Sequence, residues 1–285
     1  MGTALYTPRI WNIYIYGNYL YDNRFATLAY IYADNIYIWS NLMINNYAGG
    51  HVSTSGAGGD PPTDVYLYNN TIAYNGNESN NDRGGILHVS GTNHVNKNNI
   101  LYNNRWTNNG GQYNQIFDST SATWDYNTLY FTGQIPSWYY GGADRTLAYM
   151  QGIGQEAGAA GGTGGEIADP NFIDPDSNDY RLSSVGTLGQ DIGACFSVDL
   201  SNGDVWFEGL SGYGRYIAPC LNDALDPNNT DWTTTPPTVA TVDRDTYGWA
   251  RGAYAFGWLI SNASPADGAE GQSDSLTIKI GRAHV

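Results

Sequence analysis

Residues 13–23 read IYIYGNYLYDN, residues 36–46 read IYIWSNLMINN and residues 65–75 read VYLYNNTIAYN. Aligned on their shared asparagine, these stretches belong to one pattern that holds Asn18, Asn41, Asn70, Asn99 and Asn127, at intervals of 23, 29, 29 and 28 residues. Two places after each Asn stands an apolar residue: Leu20, Met43, Ile72, Leu101 and Leu129. In four of the five units a second Asn follows three places later, at Asn23, Asn46, Asn75 and Asn104. A fixed period of this size is the mark of a repeat architecture. Within each stretch apolar and other residues alternate with period 2, so the repeating unit is built of strands. The unit is too short for a propeller blade and lacks the Leu spacing of a leucine-rich repeat, which leaves an all-β solenoid, the parallel β-helix.

The alternation assigns faces. Ile13 and Ile15, Ile36 and Ile38, and Val65 and Leu67 share one parity and are expected to point inward. The opposite parity carries Tyr14 and Tyr16, Tyr37 and Trp39, and Tyr66 and Tyr68, which predicts two outward columns of rings stacked at the strand spacing of about 4.8 Å. In the fourth unit Val95 stands where an outward residue belongs, and a bulge or one-residue slip is expected there. Stacking also gives a reason for the Asn: the chain bends once per unit, Asn tolerates the left-handed backbone of such bends, and its amide can donate one way and accept the other. A second strand follows in each unit, around residues 28–32, 50–53, 86–90 and 115–118, after a loop of variable length. The loops at 76–85 and 105–112 hold most of the charge of the repeats.

Composition is consistent with this reading. Gly (36) and Tyr (24) are abundant, as turns and half-buried strands require. Only 14% of residues are charged, yet 27 Asp and Glu against 12 Lys and Arg give a net charge of −15. That balance argues against nucleic acid as a partner, fits an extracellular protein, and leaves room for bound Ca2+ although no motif requires a cofactor. No apolar run reaches the length of a membrane span, and no signal peptide is visible. The first strand pattern begins almost at once, from which rungs upstream of Met1 are expected. Cys195 and Cys220 both lie beyond the repeats, and either buried thiols or a disulfide would fit them.

After Phe131 the period stops, and a Gly-rich stretch leads into ADPNFIDPDSNDYRLSSVGTLGQDIGA at residues 168–194. This run resembles the closing segment of secreted bacterial right-handed parallel β-helix proteins, the pectate-lyase-like family, through Asp169, Pro170, Phe172, Asp174, Asp179, Tyr180, Arg181, Leu182, Asp191 and Gly193. TVDRDTYGWARGAYAF at 241–256 is similar to the last element of that family, with Arg251 where Asp-Ile is usual. Residues 264–280 resemble the opening strand of an immunoglobulin-like domain, and IGRAHV at 280–285 resembles a translated sequencing adapter. The implied organisation is repeats over 1–167, a closing segment over 168–260, a truncated immunoglobulin-like start over 261–279 and an artefact over 280–285.

The resemblance is specific for fold and open for activity, because a fold hosts many functions. Enzymes of the family act on acidic polysaccharides; a lyase holds calcium with Asp or Glu and removes a proton with an Arg or Lys of lowered pKa. The strongest constellation of that kind here is Glu78, Asp82, Arg83 and His88 as catalytic candidates, with His51 one unit below and Arg105 and Asp118 one unit above. A hydrolase needs carboxylates a few ångströms apart, and its signature of adjacent Asp-Asp, Gly-His-Gly and Arg-x-Lys is absent from the sequence, which disfavours a hydrolase of that type. Asn229, Thr230 and Asp231 spell an Asn-Thr-Asp element outside the repeats and are read as coincidence. Lys97 is assigned to covering the bend. The outward rings Tyr14, Tyr16, Tyr37, Trp39, Tyr66 and Tyr68 are the second candidate site, since flat rings stack on sugar faces. The acidic turn Asp174, Asp176, Asn178, Asp179 lacks the Gly and distal Glu of a helical calcium loop, and structural hydrogen bonding is expected of it. Two functions follow: a monomeric, secreted or cell-surface scaffold that binds polysaccharide on an exposed face, or the C-terminal part of a polysaccharide lyase.

Overall fold

A computed structural model describes residues 10–23, 25–29, 33–53, 60–76, 84–105, 107–108, 112–158, 164–183, 223–234, 237–244 and 251–254. Its strands form three parallel sheets that the chain visits in the same order five times. Sheet A holds Ile10–Tyr16, Ala33–Trp39, Thr63–Tyr68, Val95–Lys97 and Thr123–Asp125. Sheet B holds Tyr19–Tyr21, Leu42–Ile44, Thr71–Ala73, Ile100–Tyr102 and Thr128–Tyr130, and adds Glu166–Ile167. Sheet C holds Phe25–Ala29, Ala48–Ser53, Ile86–His88, Gln112–Asp118 and Ser137–Tyr140, with an antiparallel strand Ala143–Arg145 at its end. Each unit therefore has three strands where the alternation suggested two. The short strand after the Asn bend forms a sheet of its own.

Left-handed residues place the bends. Gly17, Ser40, Asn69, Asn98 and Tyr126 all have φ between 51° and 63°, and each stands directly before a ladder Asn. Asp22, Asn45, Tyr74 and Asn103 repeat this before the second Asn of the unit. The repeating Asn is thus not itself the left-handed residue. The residue before it turns the chain, and the Asn behind the turn is swung to the inside of the corner, where Asn41, Asn70, Asn99 and Asn127 are fully buried. A third left-handed position, at Asn35, Asp64, Asn93 and Ser121, recurs at the start of the sheet A strands.

The buried carboxamides form two ladders. Asn18, Asn41, Asn70 and Asn99 each donate both the backbone N–H and Nδ2 to Oδ1 of the next Asn along, at 3.0 to 3.1 Å. The second Nδ2 hydrogen of Asn41, Asn70, Asn99 and Asn127 goes to the main-chain oxygen of Ile15, Ile38, Leu67 and Asn96. At the second corner Asn46 and Asn75 do the same toward Asn75 and Asn104, while Asn23 gives its backbone N–H to Asn46 Oδ1 and its Nδ2 to Tyr21 O. Every ladder amide inside the stack is satisfied, which is what burial of a polar group demands. The ladders end on side chains that imitate the missing Asn. Glu156 accepts from Asn127 N and Nδ2 at 3.1 and 2.9 Å, and Gln115 Oε1 accepts from Asn104 N and Nδ2 at 3.2 and 2.9 Å.

Ile36, Ile38, Val65, Leu67, Met43, Ile72, Leu101, Leu129, Ile86, Ile116, Trp124 and Trp138 fill the space enclosed by the sheets, with Ile13, Ile15 and Leu20 packed on them. The inward parity of the sheet A strands and the apolar residue two places after each Asn hold as expected. A second cluster lies on the opposite face of sheet B. There Leu42, Ile44, Ala73, Ile100 and Tyr102 are covered by Phe172, Tyr180, Leu182, Leu225, Trp232, Ala253 and Tyr254. The described residues among 172–183, 223–234 and 251–254 therefore close that face of the sheet.

Arginines pin this cover. Arg251 is buried. Its Nη1 donates to Thr128 Oγ1 at 3.0 Å and pairs with Glu166 at 3.2 Å, while Nη2 donates to Gly164 O at 2.7 Å. Arg244 is fully buried and donates to Ser40 Oγ, Gly252 O and Ala253 O. Gly252 must approach closely: a Cβ there would lie 2.7 Å from both Thr71 Oγ1 and Ile100 Cδ1, and its φ is +84°.

Candidate functional site

Of the predicted catalytic group, Glu78, Asp82 and Arg83 lie outside the described residues. His88 is described, and its side chain is inside the stack. It ends the sheet C strand Ile86–His88 with the same parity as Ile86, is fully buried, stacks on His94 at 4.6 Å and bonds Asn96 Oδ1 through Nε2 at 3.1 Å. Burial, reinforced by the neighbouring His94, pushes its pKa down to about 4.

Asp118 pairs with His88 across sheet C and is also buried. Its Oδ1 accepts from Thr120 N and Oγ1, both at 2.7 Å, and its Oδ2 from Ala122 N and Trp124 Nε1, both at 2.8 Å. Four donors use this carboxylate fully. His51 pairs through its backbone with Thr27 and Ile86, two residues away from the His88 position; its side chain lies outside the description. Arg105 is exposed, and its N–H donates to Asn75 O. The structure thus brings His88 and Asp118 together, but in the interior and bound to structural partners.

The cause of this interior polar cluster is the fourth unit. The register does not slip there: Val95, Asn96 and Lys97 pair with Tyr66, Leu67 and Tyr68, and then with Thr123, Trp124 and Asp125. Asn96 consequently occupies an inward position, where an unbroken pattern would have an aliphatic residue, and His88 provides it a partner. Continuous register also moves Lys97 onto the outer column of sheet A, in line with Tyr68. It is not at the bend.

Tyr14, Tyr37 and Tyr66 form one outward column, and their rings stack at 5.7 and 4.6 Å. All three are half-buried, and desolvation raises each phenol pKa, with Asp64 adding to the rise at Tyr37 and Tyr66. In the second column Tyr16 stacks on Trp39 at 4.4 Å and is 37% exposed, whereas Trp39 is fully covered and Tyr68 is half-buried. Trp39 is therefore a packing residue on this face. The neighbouring corner is crossed by the C-terminal cover, with Val239 beside Gly17 and Arg244 on Ser40. The rings lie over one another within a column, so their rims and hydroxyls, not their broad faces, are presented outward.

A row of polar residues that the alternation does not single out borders the first column. Asn35, Asp64, Asn93 and Ser121 stand six residues before Asn41, Asn70, Asn99 and Asn127, and this constant offset is the signal that marks them in the sequence. Asp64 Oδ1 accepts from Asn93 Nδ2 at 3.2 Å and Oδ2 from Thr63 Oγ1 at 3.0 Å, and its charge bears on Tyr66. The single Thr63 hydroxyl proton is thus shared with Asp34 Oδ1, the nearer acceptor at 2.7 Å.

The acidic turn is engaged by its own chain. Asp174 accepts from Ser177 N and caps the short 3-10 helix Pro175–Ser177, Asn178 is left-handed, Asp179 pairs with Arg181, and Asp176 accepts from Tyr74 Oη. Among the described residues no group of three or more His, Cys, Asp and Glu is placed to hold a metal ion, and no helix is long and apolar enough to cross a membrane. Comparison with family models, with curated proteins and with solved structures finds no match to this chain.

Proposed function

We propose that the chain is a right-handed parallel β-helix of the secreted bacterial kind, acting outside the cell as a scaffold that binds polysaccharide on the outer face of sheet A. Three in-register parallel sheets visited in constant order, with an Asn ladder at each of two corners, support the architecture. The observation that carries the function is the division of roles between the two candidate sites. His88 and Asp118 are committed to the interior, while Tyr14, Tyr37, Tyr66 and Tyr16 keep part of their surface and stand in line along the stack. A row of ring rims with hydroxyls suits a long polymer that makes the same contact at each unit, and stiff rings lose little entropy on binding.

Affinity electrophoresis or calorimetry on a panel of polysaccharides tests this reading. Replacing both Tyr37 and Tyr66 by Ala should weaken binding by about tenfold or more, as loss of central aromatic contacts does, with an unfolding curve to show that the stack persists. Release of unsaturated ends, followed by ultraviolet absorbance on uronic-acid polymers with calcium, would instead establish a lyase and overturn the scaffold.

A further inference from the structure

The outer face of sheet A carries a charge and a hydrogen-bonding pattern that select among polysaccharides. We propose that its ligand is an uncharged, hydroxyl-rich glycan and that uronic-acid polymers are excluded; this rests on the polysaccharide-binding reading above.

Three observations converge. Among the described strands of sheet A the acidic side chains are Asp64 and Asp125, with Asp34 buried beneath Thr63, and the single basic one is Lys97, which lies in register beside Asp125. A polymer lying along Tyr14, Tyr37 and Tyr66 passes Asp64, which stands two residues before Tyr66 in the same strand, is bonded by Asn93 of the next unit and acts electrostatically on Tyr66 and Tyr37. A sugar hydroxyl can donate to such a carboxylate and accept from a phenol or from an amide such as Asn93, whereas a uronate oxygen can only accept and adds a like charge. Second, the rings stack on one another, so the contact is made by rims and hydroxyls, and hydrogen-bond matching carries more of the recognition than ring-face stacking does. Third, the whole chain carries −15, so a polyanion meets repulsion before it reaches the face.

The test uses polygalacturonate and its fully methyl-esterified form, which share a backbone and differ in charge, together with a neutral β-glucan, at low and high salt. The neutral polymers are expected to bind about tenfold or more tighter than polygalacturonate at low salt, and the gap should narrow as salt screens the face. Asp64→Asn should narrow it further. Polygalacturonate bound as tightly as the neutral forms, with binding still lost in Tyr37→Ala, would overturn the charge inference and leave the binding face standing. Absence of binding to all three polymers would overturn the binding face, and the inference with it. The salt series on the unmodified protein decides the matter even if Asp64→Asn fails to fold.

Discussion

At the scale of single residues, the ladder Asn are specified by the geometry of two donors and one acceptor at a corner. Asn70 illustrates the cost of losing one. Its Oδ1 accepts from Asn41 N and Nδ2, and its own Nδ2 supplies Ile38 O and Asn99 Oδ1, so Asn70→Ala leaves several buried groups without partners. Chemical denaturation should show a loss of about 3 kcal/mol, the order expected when buried hydrogen-bonding groups are orphaned. Asn178, exposed at a turn, should lose only about 1 kcal/mol on replacement by Ala, the cost of its left-handed backbone.

His88 makes a second residue-scale prediction. Facing it are His94, which opposes its charge, and Asp118 and Asn96, which favour it; burial wins and the folded pKa lies at about 4 against an ordinary 6.5. A depressed histidine pKa means that protons favour the unfolded chain. The stabilising contribution is complete above pH 6.5 and is lost as pH falls toward 4, about 3 kcal/mol in all. Burial lowers the His94 pKa too, in the same direction. Glu156 works oppositely, since burial raises its pKa to about 8. The difference between wild type and His88→Gln in denaturation midpoint isolates the histidine, and it should vary across that acid window. A difference that stays constant would contradict the buried-pair description.

The ladder Asn were legible in the sequence because spacing alone identifies them. The left-handed residue was displaced by one, since Gly17, Ser40, Asn69, Asn98 and Tyr126 share a backbone conformation and no common chemistry. Asn96 was illegible for a related reason: a polar side chain at an inward position looks like a register slip until its partner His88, eight residues away along the chain, is seen to meet it.

Among elements, the sheet A strands behaved as alternation predicts, and the tyrosine column follows from it. What alternation cannot supply is the identity of whatever covers an outward face. Trp39 and Tyr37 have the same parity, yet Trp39 is sealed while Tyr37 is partly open, because a corner beside Trp39 is overlaid by residues distant in sequence. Sheet B shows the same effect on a larger scale, with its outer apolar residues covered, among the described residues, by Phe172, Tyr180, Leu182, Leu225, Trp232, Ala253 and Tyr254.

Arg251 is the fastener of that cover. Removing it leaves Glu166, Gly164 O and Thr128 Oγ1 without their buried cation, and breaking such an arrangement costs about 3–5 kcal/mol. Arg251→Met should therefore speed amide exchange at Gly252 and Ala253, whose N–H groups donate to Asn98 O and Thr71 Oγ1, and leave exchange at Asn70 little changed. Equal acceleration at both places would mean that the cover and the stack unfold as one unit.

For the whole molecule, the described surfaces of the stack differ in what covers them. One face of the stack is consumed by the closing segment, the corners by amide ladders, and the outer face of sheet A is left with rings, hydroxyls and carboxylates. That allocation was only partly readable from the sequence: repeat length and parity define the stack, whereas the choice of covered face depends on contacts between residues more than 100 positions apart, such as Arg251 with Thr128. The interior placement of His88 was unreadable for a related reason, since inward or outward placement of sheet C residues depends on a register that the variable loops obscure.

The account depends most on the carboxamides of successive units lying one over another in the interior. Side-chain amide exchange measured by NMR reports this directly at Asn41, Asn70 and Asn99, with exposed Asn178 as the reference. Ladder carboxamides should exchange about 1,000-fold more slowly than Asn178, which corresponds to an opening free energy of about 4 kcal/mol. Ladder and reference carboxamides exchanging at the same rate would contradict the stacked architecture and the binding face built on it.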